Sequence, residues 1–156
     1  MAQSRANPRP GDNPLIANYE GNPSLRFTPQ LFEAIVEHCR SLPFIEACGI
    51  VSGVEVPIAT SVYPLRNAHA SPTSYEADRR DLVAAVKLMR SRHEQMLAIY
   101  HSHLTTAAIP SRADIERNYY GKLPRIIVSI MPSPAEVRVW RLDASTYHEL
   151  SFVVED

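Results

Sequence analysis

Cysteine is scarce: Cys39 and Cys48 are the only two in 156 residues. Two thiols are too few for a disulfide framework. Neither belongs to a Cys-x-x-Cys pair, which excludes a thiolate zinc knuckle. Both are expected to be reduced and mostly buried. Long apolar runs are missing as well. No stretch of 18 or more apolar residues occurs, so no segment is expected to span a bilayer. No apolar segment follows Met1 in the manner of a signal peptide, and the cytoplasm is the expected compartment by default. Charge of one sign is not in excess either. Sixteen Lys and Arg stand against seventeen Asp and Glu, a formal net charge of -1. No strong field therefore invites nucleic acid or an anionic membrane.

What is present is an ordinary globular composition, 45% apolar and 21% charged, in a length that favours one domain. Residues 1–24 stand apart. They hold Pro8, Pro10, Pro14 and Pro23 among polar residues, with a small apolar patch at Leu15 and Ile16. Such a segment buries too little to offset its ordering entropy, so it reads as a flexible arm before a domain over 25–156. Thr28 can cap a helix with Pro29 at its first position, and Leu31, Ile35, Val36 and Cys39 share one face. Residues 46–53 and 58–65 read as strands, and 67–72 as a turn. Leu82, Val86 and Met89 mark a helix over 75–93. A short apolar strand, 96–100, leads straight into His101. An irregular loop over 104–110, a helix over 111–119 and strands over 125–130, 137–142 and 147–153 complete the chain. Helices mixed with several antiparallel strands predict an α/β layered domain.

The chemistry gathers in YHSHLTTAAIPSRADIE, residues 100–116. His101 and His103 are two apart at the end of a strand, so both imidazoles point to one side and can converge on one cation. Asp114 follows after a loop long enough to fold back, and its carboxylate would make a third ligand of a zinc ion. Three protein ligands leave a fourth position for water, the catalytic pattern. The metal would lower that water's pKa and polarise a scissile carbonyl. A carboxylate near the metal but not bound to it is then needed to accept and pass on the proton. Ser111-x-x-Asp114 is also a helix-capping pattern, which is compatible with ligation because a cap orients the carboxylate. His-x-His-x7-Ser-x-x-Asp arises by chance on the order of once per thousand such chains, so the combination outweighs its parts. Ser102 should face the opposite side of the strand. His38, His69, His93 and His148 show no partner pattern and read as surface or packing residues, and Trp140 reads as core.

HSHLTTAAIPSRAD resembles the signature of the JAMM (MPN+) metalloproteases, His-Ser/Thr-His-x7-Ser-x-x-Asp, and Glu46-Ala47-Cys48-Gly49 is similar to that family's upstream Glu-x-Cys-Gly stretch. The resemblance implies a single-domain JAMM/MPN-like (cytidine-deaminase-like) fold, a mixed central sheet flanked by helices. It also implies a zinc-dependent peptidase in which His101, His103 and Asp114 bind one Zn2+. Glu46 would be the general acid/base, and Ser111 would help stabilise the tetrahedral oxyanion.

Within the family the chain looks most like the compact bacterial branch. Asn67-Ala68-His69-Ala70-Ser71-Pro72-Thr73-x-Tyr75 resembles enzymes that trim ubiquitin-fold sulfur-carrier proteins. The substrate so implied is such a carrier, with cysteine or a short extension cleaved from its C-terminal Gly-Gly tail. A narrow groove for that tail is expected between residues 67–75 and the loop 104–110. Three other readings differ in class: an isopeptidase that removes a ubiquitin-like modifier from lysine, a non-catalytic MPN scaffold, and a DNA-repair-associated relative, against which the nearly neutral composition argues. The second typically lacks ligands that this chain retains.

Overall fold

A computed structural model describes residues 14–19 and 21–156. Strand β1 (Leu25–Phe27) leads into helix α1 (Pro29–Arg40), then β2 (Cys48–Gly53), β3 (Ser61–Leu65) and α2 (Arg79–Ser91). Strand β4 (Gln95–His103) and the short helix α3 (Arg112–Glu116) follow. Strands β5 (Arg125–Ser129), β6 (Glu136–Leu142), β7 (Tyr147–Leu150) and β8 (Phe152–Val154) end the chain. Six strands form one mixed sheet in the order β3-β2-β4-β5-β6-β7, and β1 pairs with β8 in a second, two-stranded one.

The long strand β4 lies in the middle of the sheet, antiparallel to β2 and parallel to β5. Its near-continuous burial reflects helices on both faces, so the strand needs apolar residues in both directions. On one face, Ile35 and Cys39 of α1 pack with Val51, Ala98, Tyr100 and Val128. On the other, Ala85 and Met89 of α2 pack with Cys48, Ile50 and Ile99. Helix α1 begins as its sequence predicts: Pro29 occupies the first turn, and the Thr28 side chain accepts from the Leu31 N–H. Trp140 is buried, as expected, and its Nε1 donates to the Ala108 carbonyl at 2.8 Å.

Several expectations shift. The strand placed at 46–53 starts at Cys48, because the Glu46 N–H donates to Ser71 O and so serves a loop instead of the ladder. The strand placed at 58–65 starts at Ser61, because the chain before it serves β1: Arg26 N–H bonds Pro57 O and Ala59 N–H bonds Arg26 O. The helix placed at 75–93 waits until Asp78 caps it, since Asn67 and Ala77 first bridge the intervening loop. The helix placed at 111–119 is the five-residue α3, and the strand 96–100 extends through His103. The last strand divides at Ser151, β7 staying in the sheet and β8 crossing to pair in parallel with β1.

Part of the 1–24 segment lies along the domain. Residues 1–13 and 20 lie outside the described residues. Around them, Ile16 bridges Met96, the Ala17 N–H bonds Met96 O, and the Tyr19 hydroxyl donates to Leu97 O at 2.8 Å. The first residues of β4 lie beyond the reach of β5, so they have backbone groups to offer, and this segment takes them.

One glycine sets how closely β2 and β4 approach. Gly49 sits opposite Tyr100, whose ring lies across it and whose hydroxyl meets His38 Nδ1 at 2.7 Å. A Cβ on Gly49 would overlap that ring. Gly49→Ala is therefore expected to cost about 1–3 kcal/mol or more through displacement of a fully buried tyrosine. Denaturant titration of the two proteins checks it, and an unchanged midpoint would refute the constraint.

Candidate metal centre and active site

The last residues of β4 carry the site. Ser102 turns to the α1 face, where its Oγ accepts from the Ala47 N–H at 2.8 Å. His101 and His103 turn to the other face, with the Tyr75 ring stacked on His101 at 4.7 Å between centroids. The period of two predicted this division.

Asp114 arrives from α3. Ser111 Oγ accepts from the Asp114 N–H at 3.1 Å, and the Ser111 N–H donates to Asp114 Oδ2 at 2.8 Å, closing a capping box. The box holds the carboxylate facing β4. Asp114 Oδ1 lies 3.1 Å from His101 Nε2, Oδ2 lies 3.1 Å from His103 Nε2, and the two Nε2 atoms are 3.2 Å apart. All three side chains are buried, and their ligand atoms lie within 4.8 Å of one another.

This arrangement calls for a cation. His103 Nδ1 is 2.8 Å from the Ala107 carbonyl oxygen. A carbonyl only accepts, so Nδ1 holds the ring hydrogen and a neutral His103 presents a bare lone pair at Nε2. That lone pair faces a carboxylate, and two acceptors at this distance repel unless a positive charge lies between them. The proton equilibria show the same demand. Burial pulls the His103 pKa down, but Asp114 and the Ala107 carbonyl pull it up by more. For His101 burial wins over Asp114 and holds the imidazole below its usual range, hence neutral. Burial pushes the Asp114 carboxyl up, yet His101, His103 and the Ser111 N–H together hold it below the carboxylate range. Two imidazoles and an ionised carboxylate form a donor set suited to a divalent transition ion, zinc included. The residues fit the metal.

Glu46 precedes β2 and is only 5% exposed. Its backbone is clamped by the loop before α2: the N–H donates to Ser71 O, and the carbonyl accepts from Asn67 Nδ2 at 3.1 Å. Asn67 is fully used. Its Nδ2 also donates to Ser74 O, and its Oδ1 accepts from the N–H groups of His69 and Glu76. Burial pushes the Glu46 carboxyl up to about 7, with His103 drawing it down and Asp114 pushing it further up. A carboxyl titrating near neutrality, close enough to feel His103 and Asp114, is suited to proton transfer.

Beside Asp114 lies a cleft of about 490 Å³ whose walls include Tyr75, Arg79, Arg117, Tyr120 and Arg125. It shares His69 and Thr73 to Tyr75 with the expected groove and is otherwise lined mainly by α2, α3 and the residues after α3; the loop 104–110 does not line it. That loop is fastened elsewhere. Ala108 N–H donates to Glu136 Oε1 at 3.0 Å and Ser129 Oγ donates to Thr106 O at 2.7 Å, which together with Trp140 tie it to β5 and β6. Arg125 was not singled out from the sequence. Its signal was a charge opening the otherwise apolar run RIIVS, and the structure buries it. Of the remaining histidines, His38 packs on Tyr100, His148 meets Asp143 at 3.1 Å, and His69 meets Glu76 at 2.9 Å. His93 is exposed in the turn after α2. Cys39 and Cys48 are free and buried, each pushed up to about 12 by burial.

Comparison with known proteins agrees with the geometry. Residues 28–143 match the family described as prokaryotic homologs of the JAB domain. The chain is 34% identical over 128 residues to the CysO-cysteine peptidase of Mycobacterium tuberculosis, across 80% of this chain and 88% of that protein. It is 26% identical over 129 residues to the Desampylase of Haloferax volcanii, across 79% and 91%. The solution structure of a Desulfitobacterium hafniense protein shares the fold at a TM-score of 0.77 and 29% identity, covering 85% and 93% of the two chains. The matched span holds Glu46, both histidines, Ser111 and Asp114, and this chain belongs to the family of prokaryotic JAB-domain homologues.

Proposed function

We propose that this chain is a zinc peptidase that hydrolyses the bond after the C-terminal Gly-Gly tail of a ubiquitin-fold sulfur-carrier protein, releasing cysteine or a short extension. The observation that carries the reading is the convergence of His101, His103 and Asp114 beside a buried Glu46. The likeness to a CysO-cysteine peptidase supports the substrate class.

His101, His103 and Asp114 would hold the ion. Once bound, it would acidify a water molecule and polarise the scissile carbonyl. Glu46 takes the proton that the water loses as its oxygen adds to the carbonyl carbon. It returns the proton to the leaving nitrogen as the C–N bond breaks. A carboxyl near 7 suits both directions. Ser111 Oγ already accepts from the Asp114 N–H, so its own hydroxyl hydrogen is free to donate to the oxyanion. Asp114, locked by the capping box and ionised, keeps its position throughout.

A second reading, an isopeptidase acting on lysine conjugates, is supported by the likeness over 67 residues to a probable TtuB-protein conjugate cleaving protease of Thermus thermophilus. Mass spectrometry of a Gly-Gly carrier bearing either a C-terminal cysteine or a lysine conjugate separates the two. Loss of cysteine is the expected outcome, and cleavage of the lysine conjugate alone would overturn the carrier reading.

Glu46→Gln should retain zinc and fold while losing at least about a hundredfold in turnover, the scale of a positioned acid/base. Retained turnover would remove Glu46 from the chemistry. His101→Ala should lose the metal, measured by elemental analysis of the purified protein.

Keeping Glu46 buried also has a stability signature. Its folded pKa is raised, so in metal-free protein its contribution is full below about pH 4.5 and is lost as pH rises through about 7. The loss is about 3 kcal/mol. Metal-free Glu46→Gln should therefore gain on the wild type progressively across that window, read by denaturant titration at several pH values. A constant difference would show that Glu46 is not desolvated.

A further inference from the structure

Three arginines line the cleft beside Asp114, and none has an ion-pair partner among the described residues. Arg79 begins α2 and Arg117 follows α3; both are exposed, and their guanidinium groups make no hydrogen bond among the described residues. Arg125 differs in being 2% exposed. Its guanidinium donates to the Asp114 carbonyl oxygen and to Asn118 Oδ1, each at 3.3 Å, while its Nε has no partner. A buried guanidinium held only by neutral oxygens is costly, and the missing element is an anion. The one other acid on the cleft besides Asp114 is Glu76, whose carboxylate lies against His69 at 2.9 Å.

We propose that this cleft receives the leaving group and reads its free α-carboxylate, with Arg125, Arg117 and Arg79 supplying the countercharge. The inference rests on the peptidase reading above and narrows it: the chain is built to release a C-terminal amino acid, not to cut within a protein or at a lysine side chain.

Three considerations support this. A Gly-Gly tail is neutral backbone and has no use for three cations, whereas a terminal amino acid carries a carboxylate one carbon from the scissile nitrogen. That spacing keeps the carboxylate within about 4 Å of the reacting carbon, so its receptor must adjoin the metal ligands. Arg125, hydrogen-bonded to the backbone of Asp114 itself, meets the requirement. Finally, the cleft's 490 Å³ and its tyrosine walls suit one or two residues in size and leave no room for a folded second protein. A lysine conjugate would place the uncharged methylene stem of the lysine side chain where the carboxylate belongs, leaving the arginines unpaired.

The test compares a Gly-Gly carrier ending in cysteine with the same carrier ending in cysteinamide, which differs only in the charge. The wild type should prefer the acid by about tenfold or more in kcat/KM, the scale of charge-assisted hydrogen bonds. Arg117→Gln and Arg125→Gln should each bring that ratio towards one with zinc content maintained, and Arg90→Gln, outside the cleft, should keep it. Arg125→Gln is exposed to misfolding, so binding supplies a second reading. Titration calorimetry of the peptide Gly-Gly-Ala and its C-terminal amide with zinc-loaded Glu46→Gln should show the acid binding more tightly. Equal rates or equal affinities for acid and amide would overturn the carboxylate site and leave the peptidase reading intact. Preferential binding of the acid peptide that Arg117→Gln abolishes, without cleavage of either carrier, would establish the site and discard the substrate reading.

Discussion

Two imidazole nitrogens and a carboxylate are turned towards each other inside the protein, within hydrogen-bonding distance and shielded from water. Negative and lone-pair density so concentrated needs positive charge, and much of the surrounding structure serves to hold that demand in place. The Ala107 carbonyl decides which nitrogen of His103 carries hydrogen, and the cap of α3 decides where the Asp114 oxygens point. Tyr75 closes His101 from above. The protein's own hydrogen bonds thus fix the orientation of His103 and Asp114.

The sheet supplies the rigidity. β4 is flanked by β2 and β5 and covered by α1 and α2, and the histidines stand at its end, where packing gives way to solvent-facing loops. Close approach of β2 and β4 depends on Gly49, across which Tyr100 lies. Glu46 stands two residues before β2, so the same pairing that buries the tyrosine sets the carboxyl opposite the imidazoles. The Glu-x-Cys-Gly stretch thus joins the buried Glu46 to the glycine that lets β2 and β4 approach.

Much of this was legible in the sequence, because strand periodicity and helix capping are local. The period of two separated His101 and His103 from Ser102, and Ser111-x-x-Asp114 announced the cap. What escaped depended on distant pairing. Residues 58–60 read as strand but hydrogen-bond to β1, and the last strand divides to join the second sheet. Leu15 and Ile16 read as a weak apolar patch in an arm because nothing local reveals that the start of β4 has open backbone groups. Arg125 was passed over since a charge at a strand's first position is usually solvated. Its burial follows from α3 folding over it, a contact between elements that no window of sequence contains.

Asn67 shows how mechanism and selectivity can be tethered yet remain separable. One carboxamide holds the carbonyl of Glu46 and gathers both ends of the segment 69–76, whose residues wall the cleft. The root of this segment and Ser71, whose carbonyl accepts from the Glu46 N–H, are shared with Glu46, while Thr73 and Ser74 hydrogen-bond to Ser71 and to the segment's own root. Substitutions at Thr73 and Ser74 would reshape the cleft wall without disturbing the backbone bonds that hold Glu46. In evolutionary terms the segment is a replaceable jaw on a fixed hinge pin, a route by which one hydrolytic core can be fitted to different leaving groups.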